Sequence, residues 1–108
     1  MKERDEKVKE LLRQSVAEYI SRWSNRTSLI TVTNVHLTRD YRRCDIFISV
    51  LPEHKMQAAC DFANRHNTDL REEIKKRHRN LRRIPHFKFL PDLGEQNRQR
   101  IDELSWES

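Results

Sequence analysis

The sequence predicts an α+β domain of order α-β-β-α-α-β, with three helices on one face of a three-stranded mixed sheet. Three observations carry that expectation. Two β-branched runs, Leu29–Leu37 and Cys44–Leu51, flank a polar segment beginning Thr38-Arg39-Asp40, the pattern of antiparallel strands joined by a loop. Apolar residues recur at helical spacing both before and after this pair. A third extended run, ending Phe87-Lys88-Phe89-Leu90, follows two successive helices. Because a helix-bearing connection between neighbouring strands makes a right-handed parallel crossover, strands two and three are expected to be parallel.

The first helix is expected over residues 3–23. Val8, Leu11, Leu12, Val16, Tyr19, Ile20 and Trp23 form one apolar stripe, and Lys, Arg and Glu fill the other faces. Ser24 to Thr27 ends it. In the first strand Ile30 and Val32 share one parity, whereas Val35 and Leu37 share the other, so a β-bulge is expected near Thr33-Asn34. In the second strand Cys44, Ile46, Ile48 and Val50 define an apolar face; Asp45, Phe47 and Ser49 define a mixed one, with Asp45 and Ser49 expected to be exposed.

Pro52-Glu53 suits the first turn of a helix, where proline forfeits no hydrogen bond and an acid faces the positive end of the dipole. Met56, Ala59, Cys60 and Ala63 give that helix a narrow face that can lie close to the sheet. Asn67-Thr68-Asp69 breaks the pattern and starts another helix, with Thr68 or Asp69 as its cap and Leu70 and Ile74 on its inner face. Arg82 to Leu90 reads as the last strand, Phe87 and Phe89 inward, His86 and Lys88 outward, with Pro85 near its start and Pro91 closing it. The domain is expected over residues 1–92. Residues 93–108 are read as a short tail, partly disordered or one helical turn, with Ile101 and Leu104 as tethers.

With 108 residues the chain has room for one domain with a thin core. Its formal charge of +5 is unevenly spread: Arg71 to Lys88 holds eight basic residues against two acids, a net +6, leaving the remainder at −1. That polarity points to a polyanionic partner for one segment. Nucleic acid fits better than a membrane surface, because no stretch approaches the ~20 apolar residues of a span and the basic segment lacks a large aromatic face. The candidate RNA-binding residues are Arg71, Lys75, Lys76, Arg79, Arg82, Arg83 and Lys88, with a second, smaller cluster of Arg39, Arg42 and Arg43 at the hairpin loop. Phe47 on the mixed face is a weaker candidate for stacking a base, since a single aromatic there more often packs against its own sheet.

Cys44 and Cys60 fall at apolar positions with no CxxC pairing and read as buried thiols in a reducing compartment. The charged N-terminus has no apolar signal region, which points to the cytoplasm. The five histidines show no metal-binding spacing, and neither a glycine-rich phosphate loop nor a nucleophile elbow is present. No cofactor, metal or enzymatic activity is expected, and the chain is expected to be monomeric.

Three segments in order, ITVTNVHLTRDYRRCDIFISVL, LRRIPHFKFLPD and NRQRIDEL, resemble the ribosome-binding factor A family over about Arg4 to Leu104. The resemblance implies a type II KH-like domain, in agreement with the element order. It also implies non-catalytic binding to the small ribosomal subunit and its precursor rRNA during late maturation and rRNA processing, with a role in cold adaptation. Such domains lack the GxxG loop with which a typical KH domain clamps RNA and carry an Ala-x-Gly kink between the two helices. Here His66, Asn67 and Thr68 match that kink, so a left-handed Asn67 is expected to take over the bend. Two other readings are a small basic structural ribosomal protein and a general KH-like RNA-binding protein; a nuclease would further need a metal or a general base.

Overall fold

The computed structural model describes residues 2–24 and 28–93. Its elements are α1 (Lys2–Ser21), β1 (Leu29–Leu37), β2 (Arg43–Leu51), a single 3-10 turn (Glu53–Lys55), α2 (Met56–Arg65), α3 (Asn67–Arg77) and β3 (His86–Pro91). The sheet order is β1-β2-β3, with β1 antiparallel and β3 parallel to the central β2. The three helices cover one face, giving the expected α-β-β-α-α-β architecture. Pro52 precedes the 3-10 turn, so α2 itself starts later than the sequence indicates. Residues 94–108, and with them the expected tail and its tethers, lie outside the described residues.

The parity switch in β1 has the expected cause. The register slips between Val32 and Asn34, where Val32 pairs with Ile48 and Asn34 with Phe47. One extra residue there returns Val35 and Leu37 to the face already occupied by Ile30 and Val32, so all four meet the helices. Leu12, Val16 and Ile20 of α1, Cys60 and Ala63 of α2, Leu70 and Ile74 of α3, and Phe87 and Phe89 of β3 close over Ile46, Ile48 and Val50. Burial pushes the Cys44 thiol up to about 12 and the Cys60 thiol up to about 11, so both remain protonated and inert at neutral pH.

On the outer face of the sheet Asp45 and Ser49 depart from their expected exposure, whereas Phe47 packs as the favoured reading has it. Asp45 is 2 % exposed and Phe47 1 % exposed, and Ser49 is half-buried. Asp45 survives there because the Arg43 Nε donates to its Oδ1 at 2.9 Å, so the buried carboxylate keeps a charged partner. Phe47 therefore packs within the fold and is not a bare stacking platform.

The bend between α2 and α3 also differs. His66 ends one helix and opens the next at φ −96°, ψ 12°, and Tyr41 is the residue with positive φ among the described non-glycine residues. No left-handed Asn67 is needed. Asn67 instead turns its side chain inward, accepting from the Phe87 N–H at 2.9 Å and donating to His86 Nδ1 at 2.9 Å. Asn64 treats Phe89 likewise, accepting from its N–H at 2.7 Å and donating to its carbonyl at 3.2 Å. β3 is an edge strand, and these two amides satisfy backbone groups that would otherwise template pairing with another chain. Asn67→Ala should cost about 1–3 kcal/mol, because the buried Phe87 N–H loses its acceptor. Asn64→Ala should cost less, since water can reach that site; urea midpoints at constant m-value would check the order.

Candidate nucleic-acid interface

The hairpin loop is built by its own side chains. The Thr38 hydroxyl donates to Asp40 Oδ1 at 2.7 Å and accepts from the Arg43 N–H at 3.1 Å, while the Arg42 N–H donates to the same Asp40 oxygen at 3.1 Å. These hydrogen bonds, the Thr38 hydroxyl foremost, hold the Asp40 carboxyl below the usual aspartate range. Arg39 and Arg42 project from this frame into solvent.

Beside it runs the α3–β3 connection. The His86 N–H donates to the Arg42 carbonyl at 2.8 Å, and Arg83 Nη1 donates to the Asp40 carbonyl at 3.3 Å. Arg71 Nη2 reaches from α3 to the Ile84 carbonyl at 3.1 Å. Two loops about forty residues apart in sequence are thereby stitched into one surface. Arg39, Arg42, Arg82 and Arg83 are exposed there, and Arg79 is exposed in the turn that follows α3. Lys75, Lys76 and Arg79, with Glu72 and Leu81, line an open hollow on the solvent side of α3. Among the described residues these three make no ion pair, so their charge is available to a polyanion.

Not every basic residue of the segment contributes. Arg77 faces α1 and pairs with Glu18 at 3.0 Å and Glu73 at 3.3 Å, while Arg22 holds Glu73 at 2.6 Å. This knot fastens α1 to α3 and removes Arg77 from the positive surface. Lys88 is exposed on the outer sheet face, in register with Asp45, away from the paired loops. Arg43 is half-buried in its ion pair with Asp45. Of the sequence-derived candidates, the structure joins the segment of Arg82 and Arg83 to the loop of Arg42, and groups Arg79 with Lys75 and Lys76 around the hollow on α3. A signal for their union was present in the parallel β2–β3 pairing, since parallel neighbours begin at the same end of a sheet.

The groove that a KH domain would use is differently furnished. At the bend, His66 stacks against Phe62 with ring centroids 4.2 Å apart, and Trp23 stands edge-on to Phe62 at 5.0 Å. With β3 amides engaged by Asn64 and Asn67, the chain offers its charge at the paired loops and not at a glycine-rich turn. Among the described residues no three His, Cys, Asp or Glu side chains are placed to hold a metal, and no helix is long and apolar enough to cross a membrane.

The family model for ribosome-binding factor A matches residues 4–105. Ribosome-binding factor A of Thermodesulfovibrio yellowstonii is 39% identical over 103 residues, spanning 94% of this chain and 86% of that protein. The Neisseria gonorrhoeae counterpart is 31% identical over 90 residues, spanning 80% of this chain and 72% of its own length. The crystal structure of ribosome-binding factor A from Thermus thermophilus superposes with a TM-score of 0.65 at 26% identity, covering 77% of this chain and 90% of that one. A Thermus thermophilus homology model, fitted into a cryo-EM map of a complex with the 30S subunit, gives a TM-score of 0.66 at 26% identity, covering 78% and 90%. A family match across nearly the whole chain, with the same fold beneath it, places this chain in the ribosome-binding factor A family.

Proposed function

We propose that this chain, by its family a non-catalytic assembly factor of the small ribosomal subunit, works through the paired loops at its basic end. In this reading Arg39, Arg42, Arg79, Arg82 and Arg83 grip phosphates of precursor rRNA on free, immature subunits and promote late maturation and end processing. The observation that carries it is the stitching of the hairpin loop to the α3–β3 loop, which turns two runs of arginine into one continuous surface. The 30S complex of the Thermus thermophilus relative supports the choice of partner. Monomeric action in the cytoplasm belongs to the same reading.

Binding alone can promote assembly only if the protein favours one rRNA conformation and is then released; equal affinity for immature and mature particles would shift nothing. A deletion strain should therefore accumulate free small subunits with unprocessed rRNA ends, more severely in the cold, as the family resemblance implies. On sucrose gradients the protein should sediment with free small subunits. Stoichiometric retention in translating ribosomes, together with normal rRNA ends in the deletion strain, would reject this reading in favour of a structural ribosomal protein.

A further inference from the structure

A hollow of about 140 Å³ opens between α1 and the hairpin loop, at the same end of the molecule as the arginine surface. Glu6 and Lys9 line it from α1, and His36, Thr38, Arg39 and Tyr41 line it from the strand end and loop. Glu6 and Lys9 are three residues apart on a helix, so both reach the same side. This is well below the roughly 300–1,000 Å³ of a drug-sized pocket, so it suits one planar ring and its attached groups, not a whole cofactor.

Tyr41 has an unusual backbone for its size. It sits at φ 62°, a left-handed conformation that costs a bulky side chain and is usually left to glycine or asparagine. Its N–H donates to the Thr38 carbonyl at 3.0 Å, and the Thr38–Asp40–Arg43 hydrogen bonds fix the turn around it. A glycine would relieve the strain, yet the chain places an aromatic ring there between Arg39 and Arg42. Backbone held in a costly conformation by its surroundings, with a ring at the rim of a charged hollow, is characteristic of a ligand contact.

The lining identifies the ligand class. Lys9 and Arg39 supply positive charge, as a phosphate needs, but Glu6 would repel a bare anion. A nucleotide uses all three kinds of group: a base for the tyrosine face, a phosphate for the cations, and an exocyclic amino group or ribose hydroxyl for the Glu6 carboxylate. We infer that this hollow receives one unstacked nucleotide of the bound RNA, its base against Tyr41 and its phosphate between Lys9 and Arg39. The inference rests on the RNA-binding reading above and adds a base contact to a surface otherwise made of phosphate contacts.

The test is fluorescence anisotropy of the full chain with a short fluorescein-labelled single-stranded RNA of mixed sequence and with the same strand made of abasic residues. Tyr41→Ala should weaken RNA binding by about five- to hundredfold, the range that stacking a base on an aromatic ring gives. It should leave abasic-strand binding unchanged, and Tyr41→Phe should behave as wild type on both. Equal affinities of Tyr41→Ala and wild type for RNA, or an equal loss on both strands, would overturn the inference. Should Tyr41→Ala not fold, 4-thiouridine crosslinking of the wild-type protein decides: crosslinks at Tyr41 or within Glu6–Lys9 support the site, and crosslinks confined to Arg79–Arg83 overturn it. RNA binding that depends on Arg82 and Arg83 but not on Tyr41 removes only the nucleotide site, whereas no RNA binding by wild type removes the function proposed above.

Discussion

Phe47→Ala should lower stability by about 3–5 kcal/mol, against about 2–4 kcal/mol for Ile48→Ala, measured by urea denaturation. Both residues lie in the central strand and are essentially inaccessible, Phe47 at 1 % and Ile48 at 0 %. Ile48 is sealed by the helices, whereas Phe47 points to the opposite face, beside Asn34 and Leu90 in register. Truncating either leaves a cavity in a strand paired on both sides, where the backbone can relax little. Domains of this size hold only about 5–15 kcal/mol in all, so either change removes a large fraction of the total. Ser49→Ala, at a half-buried position next to Ile48, should cost much less. A Phe47→Ala midpoint no lower than that of Ser49→Ala would mean that the outer face is open and that Phe47 contributes nothing to the core.

Charge reversal at Arg82 and Arg83 together should weaken RNA binding by more than about tenfold at moderate salt and leave the apolar core intact. Both side chains are exposed, so reversal touches no buried contact and breaks only the exposed Arg83 bond to the Asp40 carbonyl. Losing that bond also loosens the junction between the two loops, which adds to the effect. Two lost phosphate contacts should flatten the log–log salt dependence on single-stranded RNA by about 1.4. Arg77→Gln supplies the contrast within the same segment: its guanidinium is committed to Glu18 and Glu73, so its loss should lower stability slightly and leave the salt slope alone. An unchanged slope for the Arg82/Arg83 variant, or an equal fall for Arg77→Gln, would show that phosphate contacts lie elsewhere on the molecule.

Much of this molecule was legible in its sequence, and the reason is local. Side-chain parity in β1 exposed the bulge, because strand periodicity of two makes a single inserted residue visible as a phase change. Alternation in β2 separated Ile46, Ile48 and Val50 from their neighbours, and the 3.6-residue stripe of α1 picked out Leu12, Val16 and Ile20. The excess positive charge of Arg71–Lys88 was likewise written in composition.

What covers a face, and which charges cancel, depends on partners far away in sequence. Periodicity placed Asp45 and Phe47 on the mixed side of β2, but only the folded chain shows that these two side chains are buried and that Arg43 neutralises the aspartate. Asn67 looked like punctuation between helices, and no local pattern marked Asn64; folding aims both at the free backbone of β3, twenty or more residues on. The union of Arg39 and Arg42 with Arg82 and Arg83, and the withdrawal of Arg77 by Glu18, arise from contacts spanning some forty to sixty residues. Sequence by itself determined the elements, their inward faces and the concentration of positive charge in Arg71–Lys88, since each of these is set by the residue and its near neighbours. Which side chains meet where the two basic loops come together was decided by tertiary structure, because the parallel crossover sets only which chain ends are neighbours and no local pattern encodes the contacts between them.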